Sequence, residues 1–235
     1  MNPAVEAFCL ALDVPDAQRA EAWVRQLHGH VGTFKIGLQL FCAEGPGVVA
    51  RVRKAGARRI FLDLKLHDIP NTVASAVRAL GELGVDLLTL HTAGGTEMMR
   101  AAVDAAGRTR LLGVTVLTSL DAAELAEVGD AVDVATLVSR RAALAVRCGV
   151  GGLVCSAAEV GRLRGAFGAT PYMVTPGVRL PEAALDDQRR VTTPRRARLE
   201  GADLLVVGRP VLSAADPLAM IEALQADWRG GENER

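Results

Sequence analysis

FLDLKLHDIPNT, residues 61–72, reads as a strand handing over to a helix. Leu62, Leu64 and Leu66 alternate with Asp63 and Lys65, the period of two that sends one set to each face of a sheet. Pro70 follows, suited to the first turn of a helix, where its missing N–H costs no hydrogen bond. A strand running into a helix is one βα unit, and the unit recurs. Short runs rich in Val, Ile, Leu and Phe stand at residues 7–12, 33–36, 59–65, 86–91, 111–117, 152–155, 172–175 and 203–207. Longer amphipathic stretches rich in Ala and Arg separate them, the alternation expected around a parallel sheet.

Helix starts stand where this reading needs them: Asp16 after Pro15, Pro70, Thr96 after Gly94 and Gly95, and Pro210 after Gly208. Eight units favour an α/β fold of the (β/α)8 TIM-barrel type, a single domain over residues 1–235. A doubly wound sheet would usually carry fewer strands and a GxGxxG turn after the first one, and no such turn follows Asp13. The one insertion lies at residues 119–133, and residues 228–235 read as a frayed end.

Composition bounds the partners. Lys plus Arg equals Asp plus Glu at 27 each, so no net field recruits nucleic acid or a membrane surface, and an anionic ligand must be held locally. Cys9, Cys42, Cys148 and Cys155 stand singly, without CxxC spacing, as buried thiols in a reducing compartment do. No signal-like start and no apolar run of membrane-spanning length is present, so a cytoplasmic protein is expected.

In such a barrel, function gathers where strands end at the C-terminal face. Polar residues stand at nearly every end: Asp13, Lys35, Asp63 with Lys65, His91, Thr118, Ser156, Arg179 after Pro176 and Gly177, and Arg209 after Gly208. If the leucines of the third run pack on helices, Asp63 and Lys65 both point into the barrel mouth. They then form either a structural buried ion pair or a functional pair in a low-dielectric cleft. Lys35 and Asp68 extend them to an alternating Lys, Asp, Lys, Asp array, which keeps each lysine protonated and leaves a carboxylate to press on a substrate carboxylate.

Gly177 with Arg179 and Gly208 with Arg209 stand after strands seven and eight, where these barrels bind phosphate. Gln188, in the polar stretch DDQRR, is placed to close over that phosphate from a loop. The competing reading makes both arginines solvated surface groups. Arg189, Arg190, Arg195, Arg196 and Arg198 lack interleaved aromatics and are balanced by Asp186, Asp187 and Glu200, which fits a solvated helix face rather than a nucleic-acid interface. His67 and His91 show no HxH or HExxH spacing, so each is expected to be a hydrogen-bonded loop histidine, with no metal.

The motifs ALD, FKIG, FLDLKLHDIPNT, HTAGG, VTVLTS, VCS, VTPGVR, DQRR and VVGRP together resemble the orotidine 5'-phosphate decarboxylase family in its bacterial form, across essentially the whole chain. DxKxxD alone is less specific, being shared with a sister group of sugar-phosphate decarboxylases and aldolases. The resemblance implies loss of CO2 from C6 of orotidine 5'-phosphate without a cofactor, giving uridine 5'-phosphate in the last step of pyrimidine nucleotide synthesis. It implies that Lys65, Asp63, Lys35 and Asp68 form the charged array, with Lys65 delivering a proton to C6. Asp13 would bind the ribose and Thr118 the pyrimidine, while Arg179, Gln188, Gly208 and Arg209 would hold the phosphate. Finally, it implies a homodimer in which Asp68, Ile69 and Thr72 reach the neighbouring site. Two rivals stay open at this stage: a metal-assisted relative of the same barrel group, and a non-catalytic nucleotide-binding barrel.

Overall fold

A computed structural model of the chain describes residues 2–130, 132–180 and 192–230. Its strands are β1 (Phe8–Ala11), β2 (Thr33–Gly37), β3 (Arg59–Leu66), β4 (Leu87–His91), β5 (Arg110–Val114), β6 (Gly152–Val154), β7 (Tyr172–Thr175) and β8 (Leu204–Val207). They pair in chain order, all parallel, and β8 closes onto β1 through Phe8↔Leu205, Cys9↔Val206 and Leu10↔Val207. The expected (β/α)8 barrel is the fold.

Two apolar layers hold it. Leu10, Phe34, Ile60, Leu62, Leu88 and Leu90 point outward, fully buried, against helix faces bearing Val24, Val52, Val77 and Met99. Each such side chain contributes about 1.5–3 kcal/mol relative to an exposed one. A smaller inner core of Cys9, Ala11, Phe61, Leu112, Val174 and Val206 fills the barrel axis. Burial pushes the Cys9 thiol up to about 12, so it acts there as a small apolar side chain.

Below that inner core the barrel closes on polar groups. The Arg59 guanidinium donates to Thr33 Oγ1 at 2.6 Å and to the Glu6 carbonyl at 3.1 Å, which ties the short helix Pro3–Glu6 to the barrel floor. Arg110 covers the Tyr172 ring at 4.9 Å. Ligand access is therefore from the opposite, C-terminal end.

Helices start where capping chemistry allows. Asp16 accepts from Arg19 N at 2.8 Å to open the helix Ala17–Leu27, and Pro70, Pro194 and Pro217 each occupy a first turn. The 119–133 insertion contains its own helix, Ala122–Glu127, fixed by a capping box in which Asp121 accepts from Glu124 N and Glu124 accepts from Asp121 N.

Of residues 228–235, expected to fray, 228–230 depart from that expectation, and 231–235 lie outside the described residues. The helix Pro217–Arg229 continues through Trp228, whose ring lies 4.3 Å under the Arg198 guanidinium while its carbonyl accepts from Arg198 at 3.0 Å. That stack, formed across 30 residues, supplies the partner a terminal tryptophan needs to stay ordered.

Candidate active site

β3 departs from regular pairing where its charges stand. Leu62 pairs with Leu88 and Leu66 with Leu90, so Asp63, Leu64 and Lys65 share the space opposite Thr89 alone. This is a bulge, and Lys65 takes up the excess with φ +50°, among the described residues the one non-glycine position at positive φ. Such a backbone costs about 1–2 kcal/mol for an L residue. The expected alternation survives the bulge, since Leu62, Leu64 and Leu66 pack on the helix side while Asp63 and Lys65 face the barrel mouth; only the regular pairing with β4 is interrupted.

The bulge delivers a contiguous run of charge. Lys35 Nζ lies 3.4 Å from Asp13 Oδ1 and 3.4 Å from Asp63 Oδ2, and Lys65 Nζ donates to Asp63 Oδ1 at 2.9 Å. Burial presses the Lys35 ammonium toward neutrality, but Asp63 and Asp13 outweigh it and raise its pKa above the ordinary lysine value. Burial likewise opposes ionisation of Asp63, and Lys35, Lys65 and the Thr89 hydroxyl overcome it, holding the carboxyl below the usual carboxylate range. Both groups are therefore charged at neutral pH. Gly37 makes room for this, since a Cβ there would stand 3.1 Å from Lys35 Nζ.

These groups line a cavity of about 220 Å³ at the C-terminal end of the barrel. Val114, Val116, Val154 and Val174 make an apolar wall, Thr118 stands at its edge, and Gly177, Arg179, Gly208 and Arg209 close the far side. Arg179 is 6% exposed, so it is no solvated surface arginine. Its backbone N–H donates to Thr192 O at 3.0 Å and Thr192 N–H to Gly177 O at 3.2 Å, which brings together the chain on either side of residues 181–191. Gln188, Arg189, Arg190, Asp186 and Asp187 lie outside the described residues.

The cavity thus unites Asp13, Lys35, Asp63, Lys65, Thr118, Arg179, Gly208 and Arg209. Asp68, Ile69 and Thr72 stand apart. Asp68 is exposed, with its carboxylate accepting from Ile69 N at 2.6 Å, and no ion pair among the described residues joins it to Lys35 or Lys65. Ile69 is 67% exposed at the start of the helix Pro70–Gly81, and Thr72 is exposed on that helix's first turn.

Thr89 escaped the sequence reading, while His67 and His91 were expected as loop histidines and His91 instead ends β4. Thr89 is fully buried and bonded to both Asp63 and the Lys65 backbone. Its signal was a lone hydroxyl inside LLTLH, on the inward phase shared with Leu87. His67 and His91 stack at 5.4 Å, and His91 Nδ1 accepts from Ala93 N at 3.2 Å, so His91 carries its proton on Nε2 when neutral. Burial, then Arg141, His67 and Lys65, pull the His91 pKa down to about 4. Among the described residues no cluster of three or more His, Cys, Asp or Glu is placed to hold a metal ion, and no helix is long and apolar enough to cross a membrane.

The model of the orotidine 5'-phosphate decarboxylase / HUMPS family matches residues 6–224. The chain belongs to that family. It is 52% identical over 227 residues to the orotidine 5'-phosphate decarboxylase of Anaeromyxobacter dehalogenans, covering 96% of this chain and 99% of that protein. It is 50% identical over 220 residues to the protein of the same name from Thermobifida fusca, covering 94% of each. Among solved structures, the orotidine 5'-phosphate decarboxylase of Lactobacillus acidophilus superimposes with a TM-score of 0.83 at 34% identity, covering 95% of this chain and 99% of that one.

Proposed function

We propose that this family member converts orotidine 5'-phosphate to uridine 5'-phosphate and CO2, the last step of pyrimidine nucleotide synthesis, and that it does so without a cofactor. The observation that carries this reading is the contact chain Asp13, Lys35, Asp63, Lys65 in the cavity mouth. Relatives bearing that enzyme name support the choice of substrate.

The substrate carboxylate sits against Asp63. Two carboxylates about 4 Å apart repel by roughly 4 kcal/mol at an effective dielectric near 20, less what Lys35 and Lys65 offset, and departure of CO2 relieves the repulsion. The C6–carboxyl bond breaks with its electron pair left on C6. Lys65 stabilises that developing charge and gives it a proton, then regains one from solvent. Asp13 holds the ribose, Thr118 the pyrimidine edge, and Arg179, Gln188, Gly208 and Arg209 the phosphate. Remote binding of the phosphate supplies energy for positioning the ring, so a substrate without phosphate loses turnover as well as affinity.

The test is loss of orotidylate ultraviolet absorbance with purified protein, with and without a chelator. Turnover that resists chelation supports the proposal. Turnover abolished by chelation favours a metal-assisted relative, and no turnover a non-catalytic barrel.

We further infer a two-fold dimer in which Asp68 completes the partner's array, flanked by Ile69 and Thr72. The exposure of all three, and the lack among the described residues of an ion pair from Asp68 to Lys35 or Lys65 of its own chain, support this. Lys65→Ala and Asp68→Asn subunits, each inactive alone, are mixed. In a shared-site dimer one site collects both defects and the other neither, so activity recovers to about a quarter of the unmodified level with random exchange. No recovery, with exchange verified by native mass spectrometry, places Asp68 within its own chain's site. A cytoplasmic location completes the reading, in keeping with four cysteines that form no disulfide with one another.

A further inference from the structure

Thr89 takes none of the roles assigned above, yet its hydroxyl touches both members of the central ion pair. It accepts the Lys65 backbone N–H at 2.9 Å and donates to Asp63 Oδ1 at 3.0 Å, the oxygen that also receives Lys65 Nζ. The location is telling. Opposite Thr89 the β3–β4 ladder breaks, so the Lys65 amide has no regular strand acceptor there. A buried N–H without a partner is costly, and the Thr89 oxygen provides one. A hydroxyl carries a single proton, so with its oxygen occupied by Lys65 N–H that proton is directed at Asp63.

Packing alone does not ask for this residue. Leu87, two residues earlier on the same face of β4, is apolar, and valine has the shape of threonine without the hydroxyl. The charged groups around Asp63 are Lys35 on β2 and Lys65 on its own strand, with Asp13, just past the end of β1, beside Lys35; the Cys9 thiol on β1 is neutral. Thr89, being neutral, adds direction to that set rather than charge.

Building on the decarboxylase reading, we propose that Thr89 is a positioning residue for the reaction: one hydroxyl locks the left-handed turn at Lys65 and the orientation of the Asp63 carboxylate together. It acts through those two groups and touches no reacting atom. Ammonium and carboxylate then meet the substrate in one fixed geometry, which is where small misplacements are expensive in rate.

Thr89→Val removes the hydroxyl at constant shape, and Thr89→Ser keeps the hydroxyl with less packing. In Thr89→Val, kcat falls about ten- to a hundredfold, the factor carried by a hydrogen bond to a charged group, while KM stays within about threefold. Thr89→Ser restores kcat to within about threefold of the unmodified protein. Hydrogen exchange at the Lys65 amide speeds up about tenfold in Thr89→Val and not in Thr89→Ser. If the valine variant fails to fold, Thr89→Ala is read the same way. Near-normal kcat in the variant lacking the hydroxyl overturns the proposal, as does an equal loss in the serine variant, which would make Thr89 a packing residue. If the unmodified protein leaves orotidylate untouched, the decarboxylase reading fails, and amide exchange still decides whether Thr89 holds Lys65.

Discussion

The two halves of the barrel rim are built on different principles. From β1 to β4 the rim carries formal charge on side chains, Asp13, Lys35, Asp63 and Lys65, and their positions depend on an irregular backbone and a buried hydroxyl. From β5 to β8 the strands stay regular and present valines, with glycines and two arginines only where the chain leaves the sheet. Charges within a few ångströms of one another must be fixed by their neighbours, because each destabilises or rescues the next. A wall that only shapes and grips needs no such coupling. The contrast matches the division in the proposed mechanism, which puts chemistry on one side and retention of substrate on the other.

Lys65→Ala is the sharpest way to break this division. Turnover is expected to fall by about three to four orders of magnitude with little change in substrate binding, read by steady-state kinetics and calorimetric binding of the product nucleotide. Arg209→Ala, on the other half, is expected to raise KM for the phosphorylated substrate about ten- to a hundredfold while a phosphate-free nucleoside hardly registers the change. If both variants show the same split between kcat and KM, the two halves are not distinct in function.

A smaller effect separates them by acid. The His91 pKa stands at about 4 against 6.5 for a free histidine. Between those values the unfolded chain binds the extra proton, so stability is full above pH 6.5 and is lost as pH falls toward about 4. For a partly buried ring the loss is about 1–2 kcal/mol after solvent screening. His91→Asn, which keeps an acceptor for Ala93 N, should flatten this slope in denaturant titrations from pH 7 to 4. An unchanged slope would assign the acid sensitivity to another group.

The strands were largely legible because each is a buried run between turn residues. The seventh is residues 172–175 in both readings. The sixth was read one residue long and the fifth three, since VTVL continues apolar after the chain has left the sheet at Val114. Asp86 was read into the fourth strand, whereas it precedes it and accepts from Ile60 N at 2.8 Å. Period and composition cannot see a hydrogen bond across 26 residues. Lys35, Asp63 and Lys65 of the expected array were legible for the opposite reason, because charges in an apolar run have few explanations, whereas Asp68 stands apart from them and Asp13 ends the contact chain instead. The turn at Lys65 was not, since it depends on Thr89, which lies 24 residues away on the next strand. Trp228 was misread similarly, its order resting on Arg198.

The left-handed backbone at Lys65 sets endurance against usefulness at a single codon. Glycine is the residue that φ +50° suits best, so Lys65→Gly should outlast Lys65→Ala on heating by about 1 kcal/mol. A laboratory library sorted only for survival at high temperature, with no demand for product, would therefore be drawn to replace the very lysine to which the proposed mechanism assigns the proton. Heat-sorted descendants of this chain should be sequenced at that codon before they are trusted as improved enzymes.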